Sequence, residues 1–261
     1  FDGLMTAVDA ATGAPLWSKQ MPGQYAFSSP PTAAGGIVFV GGAGEGGTVY
    51  AVDGATGRVL WTAEVENGDD SSPVVTTGAV YVSYACVQAY AFAPLDGTRL
   101  WHHSGTCEGG GGNTPVLYQG NLWARDVPTG NLVLDATTGD TVAAFSATAI
   151  PAFAGSRGFF LDGHALRALD VSTRALLWSF PGDGMLASPP LVVNGTVYIG
   201  SSTGMLYAID PATGKSTWSD MEPEGVSAAD EYNAAAAPIA GLGAGGDSLL
   251  VPAGHHLVCY R

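Results

Sequence analysis

Basic residues are scarce. Nine Lys and Arg stand against 23 Asp and Glu in 261 residues, a formal net charge of −14. A chain this acidic, with no basic stripe, repels a phosphate backbone, and nucleic acid is not an expected partner. Charge of either sign is thin at 12% of residues, against a usual ~25%. No apolar run approaches the ~18 residues of a membrane-spanning helix. Glycine is frequent, 38 residues spread along the chain, about every seventh position on average; an all-helical fold is excluded, since interior glycine weakens a helix. Cysteine is limited to three residues. No basic-then-apolar leader begins at Phe1, so any export signal is expected to lie outside these residues. What is present is a 46% apolar fraction, enough for a sizeable core and too much for a disordered chain.

That apolar content is organised by an internal repeat. Residues 6–17 read TAVDAATGAPLW, 50–61 YAVDGATGRVLW and 207–218 YAIDPATGKSTW, with looser copies at 90–101, 132–143 and 167–178. The copies end on Trp17, Trp61, Trp101, Ala143, Trp178 and Trp218, at intervals of about 40 residues, a period typical of arrays of supersecondary units. Only Trp123 among the tryptophans is out of phase. A second block, such as SSPVVTTGAVYVSY from Ser71 and SPPLVVNGTVYIGS from Ser188, holds two β-rich runs around a Gly-containing turn and reads as a hairpin. The unit is therefore four strands: a Pro-led strand a, strand b, strand c ending in Asp, and strand d ending in Trp.

The turn between c and d has a local mechanism. An Asp carboxylate accepts backbone N–H groups, as in Asx turns, and Gly57 or Gly214 supplies the positive φ that returns the chain. Each Trp carries a large apolar face that one ~40-residue sheet cannot bury, so sheets must pack face to face around an axis. The expectation is an all-β fold, a β-propeller of four-stranded antiparallel blades. Seven strand-c segments against six each of a, b and d give seven blade positions, within a range of six to eight, with incomplete terminal blades. Residues 1–261 are read as a single domain, a part of a larger ring lacking its amino-terminal portion.

The pattern A-x-D-x-x-T-G-x-x-x-W, as in Ala51–Trp61, resembles the tryptophan-docking motif of the pyrroloquinoline-quinone (PQQ) propeller superfamily. That group includes quinoprotein dehydrogenases and, with no cofactor, the propeller lipoprotein of the bacterial outer-membrane barrel-assembly machine. The motif packs blades in both, so the resemblance implies the fold and leaves the activity open. Trp17, Trp61, Trp101, Trp178 and Trp218 are the docking positions. Departures are Ala93 for the Asp, Ala143 for the Trp and Arg174 for the turn Gly; a strained turn is expected at Arg174 and thinner packing at Ala143. His164–Phe180 contains no Gly or Pro and has a locally helical look, but the repeat phase assigns it strand–turn–strand.

In such a blade the d–a and b–c connections share one face. The d–a connections hold many of the acids, including Asp69, Asp70, Glu108, Asp183, Asp230 and Glu231, whereas Arg58, Arg99, Arg174 and Lys215 fall in the opposite c–d turns. An acidic face that attracts a cation or a basic partner is one reading; a soluble loop surface is the other. Ser227–Asp230 fits a capping box, which predicts a short helix near 228–236 over that face. Cys86 falls in a b–c loop and Cys107 in the following d–a loop, so both lie on the same face and a disulfide between them is expected, implying an oxidising compartment. Cys259 is left over. His102 and His103 are adjacent on a strand and point to opposite sides, so no metal site is assigned.

Two functions follow. The first is a non-catalytic extracytoplasmic scaffold (secreted, periplasmic or cell-surface), monomeric, binding a protein, peptide or glycan at the acidic face with no cofactor. The alternative is a PQQ- and calcium-dependent alcohol or sugar dehydrogenase, with Asp69, Asp70 and Asn113 as imaginable oxygen ligands. The Cys-Cys pair that many alcohol-oxidising members carry is absent here.

Overall fold

A computed structural model describes residues 3–26, 30–44, 47–66, 71–106, 113–126, 130–226 and 241–261. Every described element is a strand except one 3₁₀ turn, Ala85–Val87. The described residues fall into two compact units, one within Phe1–Phe145 and the other within Ser146–Asp230 and Ala240–Arg261.

The first unit holds four sheets. Blade 1 consists of strands c and d alone, Leu4–Val8 and Pro15–Gln20. Blade 2 is Thr32–Ala34, Ile37–Gly44, Thr48–Asp53 and Val59–Glu64, with one more short strand, Gln24–Ala26, on the far end of its strand b. Blade 3 is Val74–Val75, Val80–Tyr84, Gln88–Phe92 and Arg99–His103; blade 4 is Val116–Tyr118, Asn121–Ala124, Asn131–Asp135 and Thr141–Phe145. In the second unit, blade 5 is Ala152–Ala154, Arg157–Asp162, Ala165–Asp170 and Leu176–Phe180, and blade 6 is Leu191–Val193, Thr196–Gly200, Met205–Ile209 and Ser216–Met221. Blade 7 has strands a, b and c only: Gly243–Gly245, Ser248–Ala253 and His256–Tyr260. The strands follow one another in a–b–c–d order, all antiparallel, the meander from which propellers are built. The segment with a locally helical look, His164–Phe180, is strand–turn–strand.

Blades pack in pairs through the repeat's apolar positions. Phe39, Ala51 and Trp61 of blade 2 share a cluster with Val80, Tyr90 and Phe92 of blade 3. Trp101 lies with Leu122 and Leu134 of blade 4, and Trp178 packs on the cluster that joins Phe159 and Leu166 to Val197 and Ile209. The indoles are fixed at both ends. Their Nε1–H groups donate to the carbonyl one residue after the Asp position of the next blade's c–d turn (Asp53, Ala93, Asp135, Asp210): Trp17 to Gly54 at 2.9 Å, Trp61 to Pro94 at 2.9 Å, Trp101 to Ala136 at 3.0 Å and Trp178 to Pro211 at 3.0 Å. The ring then lies so close to the turn glycine that a Cβ there would sit 2.5–2.7 Å from it, at Gly57, Gly97, Gly139 and Gly214, all with φ near +70° to +79°. Glycine is therefore required twice over at this position, for its backbone conformation and for the indole above it.

Register adds a rule the motif only hinted at. The residue paired with each Trp across strands c and d is Ala: Ala7, Ala51, Ala91, Ala168 and Ala208. Where the Trp is replaced by Ala143, the partner enlarges to Val133, so the pair exchanges volume rather than losing it. Arg174 retains the left-handed conformation of the glycine it replaces, with φ +60°, which costs a side-chain-bearing residue about 1–2 kcal/mol. Both departures belong to one step of the repeat: the strand d without Trp is followed by the turn without Gly, and the division between the two compact units falls just after that strand, at Phe145.

Trp218 departs from expectation. It is 40% exposed and its indole makes no hydrogen bond among the described residues. Among the described residues no c–d turn lies against this ring.

Candidate functional site

The candidate site is the face formed by the d–a connections and b–c turns, where the sequence concentrates its carboxylates. Each of the two units has connections of this kind, and each is described by itself.

In the second unit, three carboxylate centres brace the connections that enter and leave blade 6. Asp183, in the connection entering blade 6, accepts hydrogen bonds from the Ser201 hydroxyl at 2.8 Å, the Thr203 hydroxyl and the Met185 N–H at 3.0 Å. Burial by itself pushes this carboxyl up, but the Thr203 and Ser201 hydroxyls and the Met185 amide outweigh it and hold it below its ordinary value. Further along, the Tyr260 hydroxyl faces both Asp220 at 3.0 Å and Glu222 at 2.7 Å. Glu222 is 4% exposed. Desolvation first, and then the two carboxylates, push the phenol far above its ordinary range. Glu224 completes the series: its Oε2 accepts the His255 N–H and Nδ1–H, both at 3.2 Å, and its Oε1 lies 3.5 Å from His256 Nε2. These donors, the His255 ring first, hold the Glu224 carboxyl below its ordinary value. Gly254 is the local requirement, since a Cβ there would lie 1.7 Å from Glu224 Oε2.

In the first unit, the corresponding face is built on strained backbone. Cys86 and Val87 are both left-handed, with φ 65° and 51°, a conformation expensive for a β-branched residue. Cys86 is disulfide-bonded and Cys259 is free; Cys107, the partner expected from the sequence, lies outside the described residues. Gly105 packs on the Cys86 carbonyl so tightly that a Cβ would fall 1.5 Å from its oxygen. Gln88 joins the layers, its Oε1 accepting from His102 Nε2 at 2.7 Å while its amide donates to the Gly105 carbonyl at 3.4 Å. The His102 ring stacks on Tyr90 at 4.1 Å and 6°, and burial pushes its pKa down. His103 turns the other way and donates Nδ1–H to the Gly139 carbonyl at 3.0 Å, as alternation along a strand requires.

Of the six residues the sequence singled out as binding residues of this face, only Asp183 is described; it is exposed, and its carboxylate is engaged by Ser201, Thr203 and the Met185 N–H. Asp69, Asp70, Glu108, Asp230 and Glu231 lie outside the described residues, as does the segment expected to be helical at 228–236. Tyr260, Gln88 and the Ser201–Thr203 pair escaped sequence reasoning because nothing in their spacing marks them, whereas Asp220, Glu222 and Glu224 fall among the d–a acids the sequence assigns to this face. A signal was available for the Ser-Pro starts of strand a. Ser188 Oγ accepts the Gly200 N–H at 2.8 Å and Ser71 Oγ the Ser83 N–H at 3.4 Å, and each reaches twelve residues along to the end of strand b.

Among the described residues no group of three or more His, Cys, Asp or Glu converges on a metal position. Asn113, the one described member of the imagined calcium set, is only 5% exposed.

The family model described as outer membrane protein assembly factor BamB matches residues 2–147 and 128–260. The protein of that name from Moranella endobia is 25% identical over 247 residues, covering 83% of this chain and 62% of the relative, so the chain spans less than two thirds of that relative's length. The crystal structure of BamB from Moraxella catarrhalis superposes with a TM-score of 0.75 at 18% identity, over 99% of this chain and 78% of that one. Quinohemoprotein alcohol dehydrogenase from Comamonas testosteroni gives 0.71 at 15% identity, over 96% and 60%. At such identities the two structures attest the fold, a β-propeller. With its Asp-x-x-Thr-Gly turns and docked indoles matched from end to end, the chain belongs to the PQQ-like β-propeller repeat family whose model is described as outer membrane protein assembly factor BamB.

Proposed function

We propose that this protein is a non-catalytic β-propeller scaffold that works outside the cytoplasm and binds other proteins, in the manner of an outer-membrane protein assembly factor. The observation that carries the reading is the match of the assembly-factor family model to both halves of the chain, residues 2–147 and 128–260. The chemistry of the described face supports it. Asp183, Asp220, Glu222 and Glu224 are engaged by hydroxyls, a phenol, amides and imidazoles of the protein itself, and these contacts rigidify the connections. Rigid surfaces bind at lower entropic cost. The disulfide at Cys86 is in keeping with an oxidising compartment.

The test has two arms. Titrating the purified protein with PQQ and Ca²⁺, with dye-linked oxidation of alcohols and glucose as the readout, is expected to give neither stoichiometric binding nor turnover; both together overturn the scaffold reading. Surface plasmon resonance against the periplasmic part of the same organism's barrel-assembly machine is expected to give saturable binding. Its absence removes the assembly role and leaves the fold untouched.

A further inference from the structure

The b–c turn of blade 3 departs from its counterparts. In blades 2, 4, 5, 6 and 7 the described residue with positive φ between strands b and c is a glycine: Gly47, Gly130, Gly163, Gly204 and Gly254. Blade 3 puts Cys86 and Val87 there instead, with φ 65° and 51°. The left-handed region disfavours any residue that carries a Cβ, and a β-branched one is a genuine outlier in it. Such a conformation persists only where its surroundings impose it. Cys86 is also disulfide-bonded, so the cross-link sits on the very residue that opens the left-handed pair.

What the turn touches gives the cross-link a consequence. Ala85, Cys86 and Val87 are all buried. The connection leaving blade 3 lies flat on them at Gly105, where a Cβ would fall 1.5 Å from the Cys86 carbonyl oxygen. Gln88, the next residue after the pair, donates its amide to the Gly105 carbonyl and accepts the His102 Nε2–H. The His102 ring stacks on Tyr90, and the Tyr90 hydroxyl accepts the Glu66 N–H at 2.9 Å. Glu66 precedes blade 3 and Gly105 follows it. One line of contacts therefore joins the connection entering the blade, its strands c and d, its b–c turn and the connection leaving it, and that line ends on the strained pair.

We propose that the Cys86 disulfide is a redox-operated clamp on this face. Oxidised, it holds the b–c turn of blade 3 in the left-handed conformation, with Gly105 packed on it and Gln88 placed for His102. Reduced, Cys86 and Val87 relax out of that conformation and the Gln88–His102 contact is released. The partner cysteine expected from the sequence is Cys107, and the reductant is a dithiol. One thiolate of the dithiol attacks a sulfur of the disulfide, and its second thiolate then displaces that sulfur from the mixed disulfide. The dithiol ends as a disulfide, and its two electrons and two protons end on the two protein thiols. Strain carried by the oxidised form alone makes a disulfide easier to reduce, and such bonds are the labile, regulatory ones.

The experiment equilibrates the 261-residue protein, without denaturant, in mixtures of reduced and oxidised dithiothreitol and counts thiols by maleimide labelling and mass. One label, on the exposed Cys259, marks the clamped form, and labels on all three cysteines mark the open one. Val87→Gly leaves every cysteine in place and takes the left-handed conformation without strain. It is expected to raise the equilibrium constant for the disulfide about tenfold, equivalent to ~30 mV. In ¹⁵N-labelled protein, reduction is expected to move the His102 ring and Gln88 side-chain resonances while the indole N–H signals of Trp61 and Trp101 stay in place. An equilibrium constant unchanged by Val87→Gly overturns the clamp, and so does reduction that leaves His102 and Gln88 unmoved, because the disulfide then staples a turn that keeps its shape. Reduction obtained only in urea, or one that also displaces the Trp61 and Trp101 signals, makes the disulfide a support of the fold and overturns it as well. No partner protein enters the test, so the clamp and the scaffold reading can fail separately.

Discussion

Replacing Trp61 by Ala removes a ring that is 7% exposed, donates to the Pro94 carbonyl and lies on Gly97. Its neighbours Phe39 and Phe92, with centroids at 6.0 and 6.2 Å, would border the hole. Burying ~150–250 Å² at ~25 cal/mol per Å² gives about 4–6 kcal/mol as an upper bound; large aromatic-to-Ala changes in cores cost about 3–5 kcal/mol. We expect the lower interval. Trp61→Phe retains most of the apolar contact and loses the N–H···O bond, for about 1–2 kcal/mol. The same Ala substitution at Trp218, half out of the core with no hydrogen bond, is expected to cost about 1 kcal/mol or less. Urea unfolding monitored by far-ultraviolet circular dichroism measures all three with m held constant. If Trp61→Ala and Trp218→Ala fall within ~0.5 kcal/mol of each other, the scatter of ordinary surface changes, docking of the indole is not what stabilises the blades.

Other consequences can be checked alongside. Gly214→Val forces a Cβ to within 2.5 Å of the Trp178 ring at φ +70°, and we expect a loss of about 2–4 kcal/mol from overpacking and backbone strain combined; Arg174→Gly, relieving a φ of +60°, is expected to stabilise by about 0.5–1 kcal/mol in the same melt. Asp170 is held at about 2 rather than 3.8, by the Thr173 N–H first and then by the Ser172 and Thr173 hydroxyls. The native state binds fewer protons than the unfolded chain in that window, so stability is full above 3.8 and falls as pH drops toward 2. Asp9, Asp53, Asp96 and Asp210 shift in the same direction, and acid titration of the melting temperature reads them together. Tyr260 is shifted upward, so its contribution holds below pH 10 and is lost as pH rises beyond it; Tyr260→Phe is expected to flatten that alkaline limb. If the acidic face is a dock, replacing Asp69, Asp70, Asp230 and Glu231 together by Asn or Gln weakens a basic protein partner, and unchanged affinity removes those residues from its contact.

The blades were legible in the sequence because their packing device is a fixed phase. An indole every ~40 residues, with a turn glycine in the next copy to receive it, leaves a mark that no local propensity hides. Ala93 illustrates how far the mark reaches: it lacks the turn carboxylate, yet Asp96 supplies one to the Thr98 N–H at 2.9 Å and the turn persists. The Ala that faces each Trp was visible as a letter but became a rule only through strand register, and the enlargement at Val133 could not be read without it. The short strand Gln24–Ala26 was missed because it belongs to no repeat position. Of the candidate site the sequence located the face and not the chemistry. Asp183 was named as a point of attraction, but its carboxylate is held by Ser201 and Thr203, and Tyr260 joins Asp220 to Glu222 across forty residues. Such contacts depend on how two loops meet, and composition does not record that. The left-handed pair Cys86–Val87 was equally invisible, since neither residue favours that conformation.

Indole N–H exchange tests the central claim most directly. In a ¹⁵N-labelled sample transferred to D₂O, the Nε1–H resonances of Trp17, Trp61, Trp101 and Trp178 should be retained long after that of Trp218 has gone. Loss of the four together with Trp218, or protection of Trp218 to the same degree, contradicts blades fastened by docked tryptophans.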